Sequence, residues 1–304
     1  MLSTALLREE PRQYTDHDRL FKELIRTFFA EFLEAFFPHI HSHIDFSYLK
    51  LLSEEVFTDV TVGERRRVDI LMETKLREKN TIIIIHIEPQ SYTQPYFHER
   101  MFIYFSRLYE KYRKPILPIA VFSYDEKRKE PTTFSMSFPF QEVLTFQFLK
   151  LQLRTMNWRS FVYANNPAAA ALLSKMDYTA KERIQVKLEF LRMLVRMELN
   201  PAKMALINGF FETYLKLDQK EEQILMEEIK HLQPQETEGI LKLPNSWIER
   251  GIKRGMKQGM KQGMKKSSKR IASNMIKKGY TEEVIASLTE LSVEEIRNIK
   301  QELD

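Results

Sequence analysis

Apolar residues recur at helical spacing across residues 15–37. Leu20, Leu24, Phe28 and Phe32 share a face, and Phe21, Ile25 and Phe29 widen it. Thr15 or Asp16 is placed to cap this helix, and Pro38 stands just past its end. Across 54–90 the pattern changes. Val56, Phe57, Val60 and Val62 precede Gly63, followed by VDILMETKL, a polar REKN and TIIIIHIEPQ. These segments predict strands. The run Thr81–Ile87 is too dense in isoleucine for a surface strand and predicts burial on both faces. REKN has the length of a hairpin connection.

Residues 95–113 return to helical spacing, with Met101, Tyr104, Phe105 and Leu108 on one face and Pro115 closing the segment. ILPIAVFSY (116–124) predicts another apolar strand, and TTFSMSF and VLTFQFLKLQL add strand-like material within 131–153. From Trp158 to Leu243 the spacing is helical, notably over 180–199, over 201–217 after Pro201, and over 219–232. This order predicts a mixed α/β domain over 14–153. A helical region over 154–248 follows, either a layer on that domain or a separate bundle. Gly251, Gly255, Gly259 and Gly263 then fall at a strict four-residue interval, and MKQG occurs twice. They mark a basic glycine-repeat linker over 249–270. Residues 271–304 predict a short helical module, in which Ser292 and Glu295 form a capping box.

Composition narrows the function classes. The 304 residues contain no cysteine, which excludes a disulfide scaffold, a thiolate metal site and a cysteine nucleophile. No apolar run approaches the ~20 residues of a membrane helix. The first residues lack a basic start followed by an apolar stretch of a secretory signal. With a mean hydropathy of −0.40, these features set the expectation of a cytoplasmic protein with no membrane partner.

Charge points to a partner. The net charge is +5, yet nine basic and no acidic residues lie between Arg250 and Arg270, so the rest of the chain is slightly acidic. A basic segment on a near-neutral body suits a polyanion, with nucleic acid first and an anionic membrane surface second. Lys253, Arg254, Lys257, Lys261, Lys265 and Lys266 are its candidate contacts. A glycine every fourth residue costs ~1 kcal/mol each in a helix, so the segment is read as one ordered on binding, laying charge along phosphates with little sequence preference.

Pairing the strands symmetrically about Arg77–Asn80 sets Leu76 against Thr81 and, continued outward, Asp69 against Glu88. Directly opposed side chains share a face, and His86 and Gln90 project from that face too. Two carboxylates held this close raise each other's proton affinity unless a cation lies between them. Mg²⁺ takes such oxygens and keeps several waters, can activate a bound water, and can clamp a phosphate. Gln90 would orient that water. The alternative is a pair of carboxylates solvated or paired with Arg65, Arg66 or Arg67.

VDIL at 68–71 followed by IIIIHIEPQS at 82–91 resembles the core of the PD-(D/E)XK nuclease superfamily, more narrowly its recombination-promoting nuclease / putative transposase branch. DHDRLFKELI at 16–25, FHERMFIYFSRLYEKYRKPILPIAVFSY at 97–124 and IASNMIKKGYTEEVIASLTELSVEEI at 271–296 resemble the same branch. The resemblance implies a restriction-endonuclease-like mixed sheet core flanked by helices. It implies Asp69 as the metal-binding aspartate and Glu88 as the acid of the final motif. It offers the Pro89 carbonyl as a further ligand, and an acid on the first helix, Glu23 or Glu31 with Asp18 behind them. Gln90 stands where many superfamily members carry lysine, a departure that removes a charge from the site.

Other residues are weighed beside these. His39, His41 and His43 alternate, but no acidic partner is placed near them. His86 reads as a packing or hydrogen-bonding neighbour of the site. Arg100 is a candidate phosphate contact because its helix begins soon after Gln90. The leading expectation is a Mg²⁺-dependent (or Mn²⁺-dependent) endonuclease of double-stranded DNA linked to recombination or transposition. Its rivals are a catalytically inactive DNA-binding scaffold and a protein that self-associates through its C-terminal region.

Overall fold

The computed structural model describes residues 14–52, 56–58, 65–67, 69–79, 81–243 and 246–301. The reading of the first residues as lacking a leader lies outside them, as do Val68 and Asn80. The described chain divides into two compact units, up to Leu243 and from Pro244.

The first unit is mixed α/β. Helices α1 (Tyr14–Thr27), α2 (Phe29–Phe36) and α3 (Pro38–His41) lead into strand β1 (Ile44–Leu51). The single helix expected over 15–37 is broken at Phe28, whose backbone leaves helical geometry at φ −119°, ψ 42°. Leu24, Ile25, Phe28, Phe29, Phe32 and Leu33 are all buried. The break lets both halves present that apolar surface to the core.

A short pair, β2 (Val56–Thr58) and β3 (Arg65–Arg67), stands apart from the main sheet. Strands β4 (Ile70–Leu76) and β5 (Ile82–Gln90) form the predicted hairpin, and α4 (Phe97–Tyr112) crosses over to β6 (Ile116–Phe122). The strand-like material of 131–153 resolves into a separate hairpin, β7 (Thr133–Phe138) with β8 (Gln141–Gln147), and then β9 (Leu149–Gln152). Among the described residues the main sheet has the order β1-β4-β5-β6-β9. β4 runs antiparallel to β1 and β5, whereas β5, β6 and β9 are parallel.

Centre strand β5 is buried from Ile83 to Gln90, as its isoleucine run requires. β1 was not foreseen. Its alternation is broken by a bulge between Asp45 and Leu49, which shifts the phase of the apolar positions.

Helices α5 (Pro167–Leu172), α6 (Arg183–Met197), α7 (Pro201–Tyr214), α8 (Gln219–Lys230) and α9 (Pro234–Lys242) complete this unit. α7 packs on α1 and α5 packs on α2, so these helices form a layer on the α/β core. Phe21 meets Phe210 edge-on at 4.9 Å across the first of these contacts. Asn166 caps α5 and also donates to the Glu31 carbonyl at 2.8 Å, tying α5 to α2.

The second unit contains α10 (Ser246–Lys277), α11 (Glu282–Thr289) and α12 (Val293–Gln301). The glycine repeat lies within α10, where the Lys, Met, Gln and Arg between the glycines are strong helix formers. Ala272, Ile285, Leu291, Ile296 and Ile299 form this unit's own core. The expected capping box is present: Glu295 N–H donates to Ser292 Oγ and Ser292 N–H to Glu295 Oε2, both at 3.2 Å. Among the described residues no helix is long and apolar enough to cross a membrane.

Candidate active site

The β4–β5 register is the one given by pairing about the REKN connection: Lys75 faces Ile82 and Ile70 faces Ile87. One step further, Asp69 precedes Ile70 and Glu88 follows Ile87, which continues the register to bring the two carboxylates together. Among the described residues β5 past Ile87 is laddered only to β6, where Glu88, Pro89 and Gln90 align with Ala120, Val121 and Phe122. A proline is tolerated where one flank of a strand lacks a ladder partner.

Both carboxylates are buried, Asp69 at 8% exposure and Glu88 at 3%. Their environment is basic on two sides. From α1, Lys22 Nζ lies 2.6 Å from Asp69 Oδ1 and 2.7 Å from Asp18 Oδ2. From α4, Arg100 Nη2 lies 3.1 Å from Glu88 Oε1 and donates to Gln90 Oε1 at 2.7 Å. Arg26 Nη2 donates to the Asp69 carbonyl at 2.9 Å, fixing the backbone at the strand's start.

Burial raises the proton affinity of Asp69 well above the usual aspartate range, and the charges of Glu88 and Asp18 add to this against the pull of Lys22. Glu88 is pushed up to about 7 by burial, with Arg100 and Lys22 opposing. Lys22 and Arg100 both lose hydration, yet the carboxylates they face hold each above its ordinary value. Burial lowers His86 to about 4, so its imidazole is neutral near pH 7. Its Nε2 sits 3.3 Å from Glu88 Oε2, and Tyr104 meets the ring edge-on at 6.0 Å.

The structure therefore gathers Asp69, Glu88, Gln90 and His86 at one end of the sheet. Gln90 is held at both ends of its amide, since Nε2 donates to the Tyr92 carbonyl at 2.8 Å while Oε1 accepts from Arg100. Pro89 is buried between Glu88 and Gln90 in β5. Arg100, read from the sequence as a phosphate contact, has its guanidinium committed to Glu88, Gln90 and Gln94.

Among the first-helix acids, Asp18 is the one joined to the pair, through Lys22. Glu23 is exposed on α1, and Glu31 is on α2 with its carbonyl bonded to Asn166. Among the described residues no hydrogen bond or ion pair joins either of them to Asp69 or Glu88. Lys22 was not singled out from the sequence. Its signal was a lysine four residues after Asp18, set between the buried Phe21 and Leu24.

Among the described residues no three His, Asp or Glu side chains are disposed to hold a metal. Asp69 and Glu88 are two carboxylates that could hold a cation such as Mg²⁺, which uses one or two carboxylates and completes its shell with water and phosphate. The raised proton affinity of both carboxylates comes first from burial, which their basic partners only partly offset.

The side chains of Arg65, Arg66 and Arg67 and of Lys253, Arg254, Lys257 and Lys261 lie outside the described residues. Lys265 pairs with Glu295 at 2.8 Å and Lys266 is exposed, both on α10. His39 and His43 are exposed at the surface and His41 is half-buried against Phe46.

The sequence matches the family described as putative transposase, YhgA-like, over residues 15–224. No curated protein and no solved structure matches the chain.

Proposed function

The chain belongs to the family of YhgA-like putative transposases, and from that footing we propose that it is a metal-dependent endonuclease of double-stranded DNA, built on the PD-(D/E)XK architecture and serving recombination or transposition. One observation carries this reading: Asp69 and Glu88 are both buried one step beyond the Ile70–Ile87 pair of the β4–β5 ladder, close enough for the charge of Glu88 to raise the proton affinity of Asp69.

Asp69 and Glu88 would hold Mg²⁺ or Mn²⁺, with the Pro89 carbonyl as a further oxygen. A cation bound there supplies an activated water and a clamp on the scissile phosphate. The chain's own residues do the rest. Arg100 favours the ionised form of Glu88 and fixes the Gln90 amide in one orientation. Gln90 presents that amide to the attacking water. Because Gln90 carries no charge, Lys22 is the cation nearest Asp69, placed to face charge developing on phosphate. Exposed cations of α10, with Lys265 and Lys266 among them, would contact the backbone with little sequence preference.

The test is plasmid cleavage with Mg²⁺ beside EDTA and beside Asp69→Ala. Nicking that disappears in both controls is expected. Cleavage that survives Asp69→Ala would remove the assignment.

A second reading draws on a specific observation. Each carboxylate already has a basic partner, Lys22 on Asp69 and Arg100 on Glu88. A site neutralised from within suits a catalytically inactive DNA-binding scaffold. It predicts salt-sensitive DNA binding with no cleavage in Mg²⁺ or Mn²⁺.

A further inference from the structure

Beside the carboxylate pair is a cavity of about 690 Å³ that the reaction outlined above does not use. Its volume lies in the range of ligand pockets, about 300–1,000 Å³. It opens just past the C-terminal ends of the parallel strands β5 and β6, where Ser91 follows Gln90 and Ser123 follows Phe122. Ser123 N–H donates to the Gln90 carbonyl at 2.9 Å, so cavity wall and site share backbone. Helix α1 also serves both. His17 lines the cavity and meets Tyr214 Oη at 3.0 Å, while Asp18 and Lys22 belong to the site. Crevices at the carboxyl ends of parallel strands are the common ligand position in open α/β sheets.

The lining is basic and aromatic. Arg154, Lys175 and Arg183 come from three separate segments of the chain, and Tyr178 and Tyr214 stand among them. Lys175 is held 3.0 Å from Asp125 Oδ1 and 5.1 Å over the Tyr214 ring. Arg154 is 5.5 Å over Tyr178, donates from Nη1 to the Met176 carbonyl at 2.7 Å, and leaves its buried Nε with no hydrogen-bond acceptor among the described residues. Asp125 Oδ1 lies 3.9 Å from that Nε. Arg183 is paired with Glu221 at 2.8 Å. The Asp125 side chain is 78% exposed, and an ion pair to so exposed a carboxylate is weak and exchangeable.

We propose that this cavity is a second anion-binding subsite, in which Lys175 and Arg154 receive a phosphate of the DNA strand next to the scissile bond, displacing Asp125. The inference rests on the endonuclease reading for its ligand.

The experiment is fluorescence anisotropy of a labelled DNA duplex with the full chain in EDTA, titrated with salt. Lys175→Gln and Arg154→Gln should each weaken binding, and the double variant should reduce the slope of log affinity against log salt by about 0.9, the value for one phosphate left without its cations. Asp125→Asn should tighten binding, an effect that a purely structural role for these cations does not produce. Circular dichroism establishes that each variant is folded. Variants that bind with the wild-type affinity and slope, or an Asp125→Asn that binds more weakly, overturn the subsite. Binding is read without metal, so a chain that binds DNA in this way yet leaves it uncleaved when Mg²⁺ or Mn²⁺ is supplied removes the nuclease reading and leaves the subsite standing.

Discussion

Lys22 Nζ lies 2.6 Å from Asp69 Oδ1, joining helix α1 to the start of β4 at a point where both side chains are nearly buried. The same ammonium reaches Asp18 at 2.7 Å. One cation thus serves two carboxylates, with Glu88 opposite. Removing one partner of a buried pair leaves an uncompensated charge and costs about 3–5 kcal/mol. Lys22→Met is therefore expected to lower metal-free stability by about 3 kcal/mol, read as a urea midpoint. Mg²⁺ should recover a larger share in the variant than it adds to the wild type, because a ligand of the folded state stabilises by mass action. An unchanged midpoint would show that the pair carries no stability.

Glu88 sets a pH dependence whose sign follows from its position. Burial raises its folded value from 4.5 to about 7. The folded state then holds the proton where the unfolded state has released it, so this group's contribution is full below pH 4.5 and is lost as pH rises towards 7. Without metal, Glu88 thus favours the folded state more at pH 5 than at pH 8. Arg100 is the largest influence holding Glu88 down. Arg100→Gln should move the acid limb of the cleavage profile to higher pH by about one unit. Initial rates between pH 6 and pH 9 decide the matter, and a limb that stays in place detaches Arg100 from the ionisation of Glu88.

How much of this was legible in the sequence depends on whether local pattern or tertiary contact fixes a residue. The hairpin register was legible because REKN fixes the turn and the isoleucine run fixes the buried strand. Asp69 opposite Glu88 then follows from the two-residue period. The break at Phe28 was not legible, because an unbroken apolar stripe looks the same whether one helix or two carries it. Nor was the position of Arg100. Its sequence neighbours are an exposed glutamate and a buried methionine, and only the approach of α4 to β5 turns its guanidinium onto Glu88. Lys22 was missed for the same reason: its partner is 47 residues away along the chain.

Two glycines inside helices should respond in opposite directions to alanine. At Gly209 in α7 an added Cβ meets nothing within 4 Å. Gly209→Ala should stabilise by about 0.5–1 kcal/mol, since alanine is the better helix former. At Gly239 in α9 the Cβ would fall 2.7 Å from Val195 Cγ1 of α6. That close approach of two helices requires glycine, and Gly239→Ala should cost about 1–3 kcal/mol through overpacking. Thermal denaturation of both variants tests the pair. Equal shifts would mean that the α6–α9 packing yields freely.

Ending the chain at Leu243 should leave the first unit folded, because the second buries Ala272, Ile285, Leu291, Ile296 and Ile299 in a core of its own. The same cut removes all nine basic residues between Arg250 and Arg270 and leaves a body with no net charge. If α10 lies along phosphates, the shortened chain should bind DNA more weakly and with a shallower salt dependence. Each phosphate that the cut leaves without a cation takes about 0.9 from the slope of log affinity against log salt. What affinity remains would be attributable to cations of the first unit, and Lys175→Gln in the shortened chain should lower it further. Binding that keeps the full-length slope after the cut would show that the basic helix does not touch DNA.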